Sequence, residues 1–321
     1  MKKLKVLFIA FSVTALTACS AIIPSSELTY IKPEKEPYIK SDTIKPEGNH
    51  TMHDFIMSDG KIIATDSEND CLLIIDPESG ETKTRGQTGN GNDDYLHPRG
   101  IWLKDDTVYV MDSGNSRIKI LDRDLSCKDS IDISAIELWA QEVMSYFNDI
   151  SVDDNGNIFF TIDTSRKGEA RLYCIESGSD RPRAIMKGCS GVVASYGDKT
   201  YFANTWEHRE DYARLTGNSY IYEIEECNYI VSYSLPYTYA STGIYAGEKV
   251  MYCSSYGWQE VSKVDLDSLT AACMFSEPVV KNAEYNEREH YGAVYFENDT
   301  LWLLETNSNE IYKLENISEE G

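Results

Sequence analysis

The sequence predicts an all-β fold, a six-bladed β-propeller built from four-stranded blades, and three observations carry that prediction. First, a unit recurs six times: a short apolar strand, a turn, a second strand rich in Val, Ile, Tyr and Phe, a polar loop and a third strand. Anchored on Asp54, Gly100, Asp149, Gly191, Gly243 and Gly292, the units step by 42 to 52 residues, a spacing that suits four strands each. Second, the hairpin after each anchored strand carries residues that tolerate φ > 0: Asp59-Gly60, Asp105-Asp106, Asn155-Gly156, Gly197-Asp198, Gly247-Glu248 and Asn298-Asp299. Third, 22 Tyr among 321 residues and a 41% hydrophobic content supply β-prone side chains and enough apolar surface for a large core.

Taken in order, the chain opens with Lys2, Lys3 and Lys5, followed by an apolar run from Val6 to Leu16. That run is shorter than the ~20 residues a membrane span needs, so residues 1–18 are expected to be a signal peptide. Leu16-Thr17-Ala18-Cys19 resembles the lipobox of bacterial lipoproteins, which implies acylation of Cys19 and cleavage before it. Ser20 follows, not Asp, and Ser20 to Ser26 carries no charge. By that resemblance the protein is sorted to the outer membrane, with its periplasmic face favoured over the cell surface. Residues 19–37 are expected to form a lipidated tether and 38–321 the propeller. The sixth unit ends with Ile311 to Leu314 and leaves no room for a fourth strand, so Tyr38 to Ile44, within a closing segment 38–46, is expected to complete it. One insert departs from the β pattern. Ser134-Ala135-Ile136-Glu137 matches a capping box, and Ile136, Trp139, Val143 and Phe147 follow at helical spacing, predicting a helix over 134–147.

The second unit carries the most specific motif. Gly86 to Ile101, with His97-Pro98-Arg99-Gly100-Ile101 at its end, leads into Asp112-Ser113-Gly114-Asn115-Ser116-Arg117-Ile118. This resembles the NHL repeat, and the whole chain resembles the six-bladed TolB-like/NHL-like propeller lipoproteins of Bacteroidota. Tyr95 stands where that pattern has Phe, and the Asn-Arg loop is missing from the other units.

The formal net charge is −23, or −26 once Lys2, Lys3 and Lys5 are removed. Affinity for a phosphate backbone comes from Lys and Arg, so nucleic acid is excluded as a default partner. Much of the acidity sits in hairpin turns and at the ends of second strands (Asp66, Asp112, Asp163, Glu305), where it serves the fold.

Loops joining second to third strands share a face with the links between blades, and loops on a rigid scaffold are where binding concentrates. That face is expected to carry the candidate ligand-binding residues Arg99, Asn148, Asp149, Arg166, Trp206, His208, Arg209, Tyr256, Trp258, His290 and Tyr291. Trp and Tyr offer a flat apolar face and a polar edge, which suits sugars and peptides. Metal chemistry is weakly signalled. No two of the five His stand at ligand spacing, and Asp153 to Asn157 reads as a hairpin turn, not a calcium loop. Propeller lactonases of similar fold hold calcium in the channel with Glu, Asn and Asp. By that likeness His53, Asp54, Asn148 and Asp149 are the candidate Ca²⁺ ligands, although no cofactor is required. Gly86, Gly89 and Gly91 do not make a dinucleotide fingerprint, and no G-x-S-x-G elbow is present. Seven cysteines remain after Cys19, without a C-x-x-C. Most are expected to be small buried apolar residues, with one or two bridges compatible with an oxidising compartment.

Two functions from different classes fit. The favoured one is a monomeric, membrane-tethered, non-catalytic propeller that binds a glycan, a peptide or an envelope protein. The alternative is a lactonase-like propeller hydrolase or lyase using a channel-bound divalent metal. Three or more carboxylate and amide side chains converging at the channel mouth would favour the enzyme.

Overall fold

A blade in a propeller is buried on both faces, so its central strands must be apolar on alternate residues of both parities. Lys61–Asp66 shows why. Ile62 and Ala64 pack with Trp302, Leu304 and Ile311 of the last blade, while Ile63 on the opposite face packs with Ile101, Val108 and Val110 of the next. The computed structural model describes residues 25–136, 145–164, 171–209, 212–215, 219–236, 238–277 and 290–317. Within them each of the six repeats forms an antiparallel sheet of four core strands. The innermost strands are Met52–Ser58, Pro98–Lys104, Ser145–Val152, Cys189–Tyr196, Ser241–Ala246 and Tyr291–Glu297. Each contacts the next, and the last contacts the first, so the ring closes.

Closure comes from the strand expected to provide it. Tyr38–Ile44 pairs antiparallel with Glu310–Asn316, matching Ile44 to Ile311 and Tyr38 to Asn316. Its two end residues, Tyr38 and Ile44, are buried, and the five between them are exposed. The preceding segment does more than the tether reading assigned to it. Ser25–Glu27 adds a parallel strand to the outer edge of blade 4, and Thr29–Ile31 adds one to blade 5. Leu28 between them is buried, and Tyr30 donates from its hydroxyl to Glu260 at 2.8 Å. The amide of Ser276 then donates to Glu36 at 2.8 Å. The N-terminal segment therefore straps the rims of three consecutive blades and covers strand edges that would otherwise be open.

Two further expectations change. The helix placed over 134–147 is not found at either end: Ser134–Ile136 form a turn and bend, and Ser145–Phe147 already belong to the inner strand of blade 3. Residues 137–144 lie outside the described residues. The Asp132 carboxylate accepts from the Ser134 amide at 2.8 Å, so the polar residues of the expected cap serve a local turn. Trp206, His208 and Arg209, expected on a loop between second and third strands, stand on a strand, since Lys199–Arg209 runs on to pair with Tyr212–Leu215.

The glycine-rich loop of the NHL-like motif is structural. Arg117 donates to Asp112 at 2.7 Å and to the carbonyls of Asn90, Gly91 and Asp94, and the buried Lys119 donates to the carbonyls of Asn92 and Asp94. Residues 86–96 are thereby folded onto blade 2. A disulfide joins Cys174 of blade 3 to Cys227 of blade 4, while Cys71, Cys253 and Cys273 are free and buried.

Candidate functional site

A channel of about 570 Å³ runs between the six inner strands. One local irregularity, repeated in all six blades, shapes its mouth. Near its start each inner strand slips register against the second strand: at Met52/Phe55, Pro98/Ile101, Phe147/Ile150, Ser190/Gly191, Ser241/Gly243 and Tyr291/Val294. Such bulges re-aim side chains out of the pleat. In blades 1, 2 and 3 the residues skipped are His53-Asp54, Arg99-Gly100 and Asn148-Asp149.

The second residue of each pair ties blades together. The two oxygens of Asp54 accept from the amides of Phe55 at 2.8 Å and of Ile101, in blade 2, at 2.9 Å. Asp149 repeats the arrangement with Ile150 at 2.8 Å and Val193, in blade 4, at 2.7 Å. Where the neighbouring backbone comes closest, only glycine fits. A Cβ on Gly100 would stand 2.8 Å from the Asp149 Cα, and one on Gly243 only 2.2 Å from the Gly292 carbonyl oxygen. Hydroxyls complete the stitching: Thr65 donates to the Arg99 carbonyl at 2.5 Å and Ser254 to the Gly292 carbonyl at 2.6 Å.

The first residue of each pair lines the channel. His53 Nε2 lies 2.9 Å from Asn148 Oδ1, so the neutral ring donates to the amide oxygen. Burial, and then the nearby Arg99 charge, push the imidazole down to about 3, so it stays neutral at physiological pH. Arg99 stacks over Tyr146, its guanidinium 3.8 Å from the ring centroid. Burial lowers its pKa, and the charges of Tyr146 and Asp163 pull it back up. Asp149 is pushed up to about 7 by burial, against the two amides that favour its charged form. Burial and then repulsion from Asp149 raise Asp54 as well.

The two ends of the channel differ. His53, Arg99, Asn148, Asp163, Tyr256 and His290 lie where inner strands begin and second strands end. Ile56, Leu103, Tyr196, Tyr245 and Tyr295 lie towards the opposite end, with Tyr245 and Tyr295 edge-to-face at 5.1 Å.

Of the candidates chosen from sequence, Arg99, Asn148, Asp149, Tyr256, His290 and Tyr291 are brought together along the channel. Tyr256 and His290 pack edge-to-face at 5.0 Å. Tyr291 is buried, its ring near Phe275 and Tyr312 of blades 5 and 6. Trp258 does not join them. It packs 4.8 Å from Tyr30 of the N-terminal strap and 6.2 Å from Tyr239, in the seam of the outer blades. Arg166 lies outside the described residues, as do the side chains of Trp206, His208 and Arg209. Cys19 precedes them. Trp102, Tyr146, Asp163, Tyr245 and Tyr295 were not anticipated. The signal for the inner-strand residues among them was position, within three residues of each anchor.

The carboxylates among the metal candidates are tied into the backbone. Each oxygen of Asp54 and Asp149 already accepts an amide, and no three His, Cys, Asp or Glu side chains converge among the described residues. At Asp153 to Asn157 the structure forms a turn, the Asn157 amide and side chain both donating to Asp153 at 2.8 Å.

No protein-family model matches the chain, and no curated protein matches it. Solved structures do. Virginiamycin B lyase from Staphylococcus aureus is 12% identical, with a TM-score of 0.57, covering 87% of this chain and all of that one. A luciferin-regenerating enzyme is 11% identical, with a TM-score of 0.60, over 85% of this chain and 94% of that one. A Bacteroides thetaiotaomicron protein of unknown function is 10% identical, with a TM-score of 0.58, over 90% of this chain and 75% of that one. At such identities the likeness establishes the fold alone.

Proposed function

We propose that this protein is a lipid-anchored lipoprotein of the bacterial outer membrane whose propeller binds a glycan, a peptide or an envelope protein without transforming it. The ligand enters the channel at the mouth formed by His53, Arg99 and Asn148. One observation carries this reading: the bulges hold those side chains inside a channel of about 570 Å³, a volume in the usual range for ligand pockets. Asp54, Asn148, Asp149 and Asp163 also line the channel, which keeps the enzyme class as the second reading, but Asp54 and Asp149 each bind amides of their own and the neighbouring blade, which supports a structural role for those two.

The test is a binding screen of residues 20–321 against glycans and peptides, with and without chelator. The expected hit survives chelation, weakens about tenfold or more in Asn148→Ala and keeps its affinity in Trp258→Ala, which lowers only the melting temperature. Turnover of the hit, or binding lost to chelator, would move the protein to the metal-dependent hydrolase or lyase class. For the anchor, Cys19→Ala is expected to move the protein from the membrane to the soluble fraction, and unchanged fractionation would remove the lipoprotein assignment.

A further inference from the structure

Inside the channel the inner strand of blade 2 carries two buried N–H donors that have no acceptor among the described residues, Arg99 Nε and the Trp102 indole Nε1. Both residues line the channel. A buried donor without an acceptor is costly, and a buried cation without a counter-ion more so, unless a ligand completes it. Arg99 has Tyr146 beneath it and forms no ion pair among the described residues. The surrounding acids do not hydrogen-bond to it. Asp54 and Asp149 face backbone amides through all four oxygens, and Asp163 lines the channel and attracts Arg99 without pairing with it. The Arg99 guanidinium is thus left without a bonded anion among the described residues, in the channel of a protein of formal charge −23.

We propose that the channel is a receptor for a peptide C-terminus, whose carboxylate meets Arg99 and whose carbonyl about three residues upstream accepts from Trp102. This rests on the reading of the channel as the ligand site and names the ligand's chemistry. A guanidinium presents a planar fork that matches a carboxylate. Trp102 stands three residues further along the strand, about 10 Å at the usual strand rise, so the ligand needs a second acceptor along its length. A fatty acid has none there. A uronic acid carries hydroxyls all round, which the apolar walls of Ile56, Leu103, Val294 and Tyr295 would leave unpaired. A peptide ending in apolar residues supplies the carboxylate, the carbonyl and side chains for those walls.

The probes are N-acetylated tripeptides ending in Leu, Phe or Val, each as free acid and as C-terminal amide, titrated into residues 20–321 by calorimetry and by tryptophan fluorescence. At least one free acid is expected to bind tenfold or more tightly than its amide. Arg99→Gln is expected to erase that difference and Arg99→Lys to keep part of it, while Trp102→Phe weakens acid and amide alike. The acid–amide comparison on the unmodified protein stands even where a variant does not fold. Equal binding of acid and amide overturns the carboxylate site but leaves the channel as the ligand site. Binding of a neutral glycan, lost in Asn148→Ala, with no peptide bound, does the same. Peptide binding untouched by substitutions at Arg99, Trp102 and Asn148 overturns both.

Discussion

Asp149 accepts two backbone amides while buried deeply enough that its pKa rises to about 7. The sign of the consequence follows from linkage. In the unfolded chain this carboxyl ionises near its ordinary value of 3.8, and in the fold it holds its proton to about 7. Its contribution to stability is therefore fully present below pH ~4 and is lost as pH rises towards ~7, beyond which it is constant. Asp54, raised in the same direction, adds to that slope. Asp149→Asn cannot ionise, and its amide nitrogen faces one of the two donors. The variant is expected to be less stable throughout and to show a flatter dependence of denaturation midpoint on pH between about 4 and 7. Urea titrations at several pH values check this, and a slope unchanged from the parent would refute the assignment. The identity of this residue was legible in the sequence, because Asp54 and Asp149 mark repeat anchors. Its role was not, because the amides of Ile101 and Val193 come from other blades.

Among the elements, the closing strand was legible and the strap before it was not. Tyr38–Ile44 has seven residues and buried apolar ends, and a sixth unit lacking its outer strand has an obvious vacancy for it. Ser25–Glu27 and Thr29–Ile31 have three residues each, too few for a period, and their partners lie more than 200 residues away. The helix expected over 134–147 failed at its C-terminal end for a related reason. Phe147, in the inner strand of blade 3, is wholly buried and pairs with Ile162 of the second strand, and tertiary burial outweighs helical spacing there. Ile44 packs among Met52, Phe55 and Ile311 at the seam of the first and last blades. Ile44→Ala is expected to cost about 2–4 kcal/mol, as for other buried large-to-small changes. Deleting residues 20–46, which strips an edge from three blades, is expected to lower the melting temperature sharply. A calorimetric scan unchanged by the deletion would refute closure by this segment.

At the level of the whole molecule, the acidity is spread as a structural device. Asp66, Asp112 and Glu305 end second strands and accept amides from the links and loops around them: Thr51 and Asn69, Leu96, and His290, Asn307 and Ser308. The formal charge of −23 is what remains when such carboxylates recur blade after blade with only 30 basic residues to offset them. Self-repulsion at that charge opposes the compact state. Raising ionic strength from about 0.01 M to about 0.15 M shortens the screening length from about 30 to about 8 Å, so the melting temperature is expected to rise over that range. A melting temperature that falls would mean that the surface ion pairs, such as Lys249–Asp267 and Lys128–Asp122, outweigh the repulsion.

By itself the sequence determined the blade count, the hairpins and the strand that closes the ring, because these depend on local periodicity, turn chemistry and a regular repeat length. It also placed the anchors that turned out to be the bulged residues of the inner strands. Only the tertiary structure decided which of those residues meet. His53, Arg99 and Asn148 come from blades 1, 2 and 3 and converge because a ring brings the starts of its inner strands to one axis. Trp258, as aromatic as any candidate in the sequence, packs instead against Tyr30 of the strap and Tyr239. Repetition sets the scaffold through short-range rules, whereas the channel is a property of closure, in which residues about 45 to 50 positions apart become neighbours.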